Sequence, residues 1–173
     1  MTQDVEAPGA QPLSADHRKY IAGETAVSVI VNSVLSLLFA LFASSGVERM
    51  PLLGPRGMAI DFVPQCFMIT FATTVAVTLL TRKRLRAGKV AVLLRSGAGV
   101  LPDAPANAMV RGVLFGLVVA VVVAPLSAIA LYGLGLQSLP VASFIAMKVA
   151  FGALLALIIS PPIIRAALTL PGK

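Results

Sequence analysis

Four apolar runs, each about twenty residues long and nearly free of charge, constrain this chain more than any other feature. They occupy about 26–44, 62–81, 112–134 and 139–160. A helix crosses a hydrocarbon core ~30 Å thick with roughly 20 apolar residues, because it rises 1.5 Å per residue. A soluble bundle would need a polar stripe on the outside of each helix. These runs exceed ~18 residues without one, which argues against a soluble bundle. The expected fold is therefore an all-α membrane protein, with four transmembrane helices arranged as two helical hairpins. Composition agrees, since 12% of residues are charged against about 25% in soluble domains.

Domain organisation follows from the same pattern. Residues 1–20 are polar and read as a disordered cytoplasmic tail, in which Ser14 or Asp16 can cap a short helix leading into the membrane. Residues 21–173 form a single four-span domain. No apolar segment opens the chain, so the first span is expected to serve as the insertion signal. Pro64 falls in the first turn of span two, where a proline costs little. Pro125 inside span three predicts a kink. Pro161 and Pro162 are expected to end span four or bend it sharply.

Lys and Arg near span ends set orientation. Arg18 and Lys19 precede span one, and Arg165 and Lys173 follow or end span four. Between spans two and three lie Arg82, Lys83, Arg84, Arg86, Lys89, Arg95 and Arg111. The other two connections carry only Arg49 and Arg56. Both termini and the basic loop 82–111 are thus expected in the cytoplasm of a cell with an inner membrane. The chain carries a net charge of +7. Its cations flank apolar spans and have no interleaved aromatics, so anionic lipid headgroups are the expected partner rather than nucleic acid. Arg82, Lys83, Arg84, Arg86, Lys89 and Arg95 are the candidate headgroup contacts, on a segment whose aliphatics can lie in the acyl boundary.

A few polar residues inside the spans need a reason to be there. Glu24, Ser28, Asn32 and Ser36 recur every four residues and share a helix face. In span two, Thr70, Thr73, Thr74, Thr78 and Thr81 fall within an arc of about 140°. Glu24, Ser28, Asn32, Ser36, Thr70, Thr74 and Thr78 form the candidate polar seam or pathway, either hydrogen-bonding the first hairpin together or lining a narrow hydrophilic route. Lys148 lies roughly 12 Å into span four, where a lysine costs about 2.5–3.5 kcal/mol on insertion scales. It is expected to snorkel, to pair with Asp61 at the start of span two, or to serve a substrate. Gly112, Gly116, Ala120 and Ala124 repeat every four residues on span three, and Ala142, Ala146, Ala150 and Ala153 give span four a similar face. Such ribbons admit close backbone approach, so spans three and four are expected to pack tightly, or to serve a homodimer.

Catalytic signals are missing. Cys66 is the single cysteine and His17 the single histidine. The chain carries no HExxH, GxSxG or phosphate-binding loop. No enzyme activity, cofactor or metal is expected. In span count alone the chain resembles small multidrug transporters and the small membrane subunits of carboxylate transporters. The multidrug family places a carboxylate well inside its first span, whereas Glu24 stands at the edge, so no residue role carries over. The expected function is an accessory or assembly subunit of a membrane complex, partnered by another membrane protein or by a second copy. The alternative is a small oligomeric transporter or channel, with its polar pathway along the first hairpin.

Overall fold

The computed structural model describes residues 13–91, 93 and 107–168. Arg95, Lys173 and most of the tail lie outside the described residues. The described chain is helical, with α1 (Ala15–Ala43), α2 (Met58–Arg86), α3 (Ala108–Gly133) and α4 (Val141–Leu168). All four are long and apolar enough to cross a membrane, which makes this a multi-pass membrane protein. Two short strands, β1 (Arg49–Pro51) and β2 (Ser138–Pro140), pair antiparallel with Met50 opposite Leu139.

Each helix is longer than its apolar segment, and several of the ends are closed by local chemistry. Ser14 caps α1 by accepting a hydrogen bond from the His17 amide at 3.2 Å, so residues 15–20 are helical rather than the end of a disordered tail. α2 begins one turn before its apolar run, which moves Pro64 from the first turn into the helix interior. At its other end Gly88 adopts a left-handed φ of 65°. The Lys89 amide then reaches back to the Arg84 carbonyl at 3.0 Å, closing the helix as a C-terminal glycine motif does. Asn107 caps α3 through the Met109 amide at 2.9 Å. α4 does not stop at Pro161 and Pro162 but remains helical to Leu168. Tandem prolines forfeit two helical amides, and burial of Ile163, Ile164, Ala167 and Leu168 offsets that loss.

The packing order differs from the expected hairpins. α3 packs on α2, while α4 packs on α1 and on α2. α1 and α2 barely touch along their backbones and meet instead through long polar side chains. The expected tight pairing of α3 with α4 does not occur. Gly112 lies against Phe71 and Val75, and Gly116 against Phe67, all on α2. A Cβ on Gly116 would stand 2.8 Å from the Phe67 ring and 3.1 Å from its carbonyl. Ala120 and Ala124 on the same ribbon are buried. The α4 alanines face outward, with Ala142, Ala146 and Ala150 exposed. The face opposite them, carrying Phe144, Lys148 and Gly152, is buried. The physical reason is solvent. Lipid rewards burial of a lysine far more than burial of an alanine methyl, so the polar face turns inward.

α1 shows the same inversion. It buries Glu24, Thr25, Ser28, Asn32 and Ser36, and exposes Val27, Ile30, Val34, Leu38, Leu41 and Phe42. The pairing of β1 with β2 ties the α1–α2 and α3–α4 connections together at one end of the bundle. The Leu52 amide donates to the Gln137 carbonyl at 2.8 Å, and the Val141 amide to the Glu48 carbonyl at 3.1 Å. Met50 and Leu52 are buried there with Met58, Phe62, Cys66 and Phe144 in one apolar cluster.

Candidate functional site

A line of buried polar side chains runs along the junction of α1, α2 and α4, closed by an ion pair at each end. At the strand end, Lys148 of α4 is 1% exposed. Its Nζ lies 2.5 Å from Asp61 Oδ2 and donates to the Asp61 carbonyl at 3.3 Å. The rings of Phe62 and Phe144 take up two further directions, with centroids 5.3 and 5.8 Å away. This ammonium is held by oxygens and π faces, and that arrangement compensates its desolvation. Asp61 stands in the first turn of α2, where the helix dipole also favours a carboxylate.

One turn deeper, Gln65 of α2 donates from Nε2 to Ser36 Oγ of α1 at 3.1 Å and to the Lys148 carbonyl of α4 at 3.2 Å. A single amide therefore joins three helices. Beside it α1 and α4 cross at Gly152. A Cβ there would overlap Ser36 Oγ and lie 3.0 Å from Ser36 Cβ. Next comes Asn32, 3% exposed. Its Nδ2 donates to Thr73 Oγ1 across to α2 at 3.0 Å and back to the Ser28 carbonyl at 2.8 Å. Ser160 of α4 then donates to Ser28 Oγ at 2.8 Å.

The other end closes with a second cation, carboxylate and ring. Arg84 of α2 pairs with Glu24 of α1, and its guanidinium sits 5.5 Å from the Tyr20 ring centroid. Tyr20 Oη lies 3.0 Å from Thr81 Oγ1. Arg84 is in the last turn of α2, where the dipole favours a cation. Asp61 and Arg84 are 23 residues apart on one helix, about 34 Å at helical rise. The polar line is thus about as long as a hydrocarbon core is thick.

Glu24, Ser28, Asn32 and Ser36 are together on the inner face of α1. Asp61 and Lys148 are in contact. Of the threonine face, Thr73 and Thr81 meet α1. Thr70, Thr74 and Thr78 are buried at a different angle, and Thr74 returns its proton to the Thr70 carbonyl at 2.7 Å. Arg84, expected on headgroups, turns inward to Glu24. Arg82 is half-buried, and Lys83, Arg86 and Lys89 are exposed. Gln65, Ser160 and Gly152 were not expected on this line. Gln65 and Ser160 had a signal, since each is a polar residue within or closing an apolar span.

The line offers hydrogen-bonding chemistry from hydroxyls and amides, with an ion pair at each end. Among the described residues no group of His, Cys, Asp and Glu is placed to hold a metal ion. Gln65 Oε1 and the hydroxyl oxygens of Thr25, Thr70 and Thr78 are buried without a protein hydrogen-bond partner. Comparison of the chain with protein-family models, curated proteins and solved structures found no match.

Proposed function

We propose that this chain is a small, non-enzymatic transporter or channel of a bacterial inner membrane, passing a small polar solute or ion along the line between Asp61–Lys148 and Glu24–Arg84. The observation that carries the reading is the length of that line. A single interhelical hydrogen bond in lipid contributes about 0.6–2 kcal/mol to packing. Here α1, α2 and α4 turn polar groups inward over a full membrane thickness. Buried oxygens without protein partners, such as Gln65 Oε1, are free to accept from water or solute. An ion pair at each end suits a gate, because it is neutral when closed and hydrates when parted. Orientation in this reading follows the basic residues, with both termini and the 82–111 segment in the cytoplasm.

The test is flux through purified protein in proteoliposomes. Stopped-flow swelling with urea and glycerol reports neutral solutes, and entrapped pH and potassium dyes report ions. At least one probe should pass faster than through empty liposomes, and Asn32→Leu and Lys148→Leu should abolish that gain while the proteins still insert. Wild-type rates equal to those of empty liposomes for all probes would refute the reading.

The accessory-subunit reading rests on small-residue faces and the basic loop. Gly112 and Gly116 are occupied by α2, whereas Ala142, Ala146 and Ala150 of α4 stay open to a partner. Retention of a larger membrane protein through purification in mild detergent would support it.

A further inference from the structure

We infer that the end of the bundle carrying the Glu24–Arg84 pair is a docking surface for anionic phospholipid, formed by six exposed cations: Arg18, Lys19, Lys83, Arg86, Lys89 and Arg165. Three helix ends deliver them, from the start of α1, the end of α2 with its following turn, and the end of α4. Among the described residues one exposed carboxylate stands against them, Asp16, since Glu24 is engaged by Arg84. The opposite end is nearly balanced, with two exposed arginines, Arg49 and Arg56, beside exposed Glu48, and Lys148 neutralised by Asp61.

Position distinguishes this surface from a merely solvated charge cluster. Lys83 follows Leu79 by one helical turn, and Leu79 is an exposed, membrane-facing side chain. Arg86 follows Leu79 by two turns on the same stripe. On α4, Leu154 and Ile158 are exposed, and Arg165 lies two turns beyond Ile158 on that face. Aliphatic side chains thus give way to cations within one or two turns, as acyl chain gives way to phosphate in a lipid leaflet. A soluble anion would meet the cations but would have no use for the stripe beneath them. A phospholipid uses both.

The full-length protein in mild detergent, offered equimolar phosphatidylglycerol and phosphatidylcholine, should retain phosphatidylglycerol by native mass spectrometry. Each cation near an anionic surface is worth about a fivefold preference, so Lys83→Gln/Arg86→Gln/Lys89→Gln should lower the preference on the order of 100-fold. Arg18→Gln/Lys19→Gln/Arg165→Gln, on different helices, should act alike. Arg49→Gln/Arg56→Gln at the other end should leave the preference unchanged. All six sites are exposed, so folding is expected to survive, and an unchanged thermal midpoint confirms it. Equal retention of the two lipids by wild type overturns the inference. So does an equal loss in the Arg49/Arg56 variant, which would mean generic charge. Displacement of the lipid by inorganic phosphate would mean a soluble-anion site and overturns it as well.

Discussion

Removing the carboxylate from the Asp61–Lys148 pair should harm the protein more than removing the ammonium. The asymmetry comes from exposure, since the Lys148 side chain is 1% exposed and that of Asp61 is 29% exposed. In Asp61→Asn the ammonium remains buried, with only the residue 61 carbonyl and two aromatic rings to hold it. Stranding a buried charge costs about 3–5 kcal/mol. The residual carbonyl and rings place this case near the lower bound, about 3 kcal/mol. In Lys148→Met the partly exposed carboxylate can turn outward, and the methionine fills the space of the lysine stem. The expected cost is about 1 kcal/mol. The double variant leaves no stranded charge and should lie within about 1 kcal/mol of wild type. The coupling energy across the cycle is then about 3 kcal/mol. Unfolding of the four proteins in mixed micelles, followed by circular dichroism, measures each term. A coupling below about 0.5 kcal/mol, or a lysine variant worse than the aspartate variant, would refute the buried-pair account.

Other contacts give sharper local tests. Gly152→Ala should destabilise by about 1–3 kcal/mol, because its methyl would overlap Ser36 Oγ; Ser36→Gly in the same chain should recover most of that loss in the same unfolding assay. Gly116→Val should separate α3 from α2 at Phe67 and cost about as much, whereas Ala146→Val on the exposed α4 face should be silent. With Cys66 replaced by Ala, Ser28→Cys and Ser160→Cys should form a disulfide under mild oxidation, because their hydroxyls lie 2.8 Å apart; a cross-link that instead joins Ala128→Cys to Ala142→Cys would favour an α3–α4 hairpin.

The four membrane-spanning helices were legible in the sequence because charge-free length is a direct statement about solvent. The polar line of α1 was legible because its period of four keeps Glu24, Ser28, Asn32 and Ser36 on one face of any helix. Lys148 and Asp61 were legible as a pair because both sit near the same end of their spans. Helix pairing was not legible. Alanine and glycine ribbons license close approach without naming the partner, so Gly112 and Gly116 fit α4 in principle and fit α2 in fact. Sequence adjacency misled for the same reason, since a short connection limits distance between ends and not packing along the helices. The β1–β2 clasp was hidden because three-residue strands with Pro51 and Pro140 at their ends carry almost no periodicity. Arg84 was misplaced because six cations in a row read as one class, though three residues separate it from the end of span two and Glu24 precedes span one by only two. That register places the two at one level and was a usable signal.

Water in the polar line separates a pathway from a dry seam. With Cys66 replaced by Ala, single cysteines at Ser28, Asn32 and Ser36, and at the membrane-facing positions Val27, Val31 and Val34, can be challenged with a small water-soluble thiol reagent. The thiolate that reacts forms only where water reaches. The account predicts modification at 28, 32 and 36 and protection at 27, 31 and 34. Protection at all six positions would show the line to be a sealed packing seam and would contradict the proposed transport.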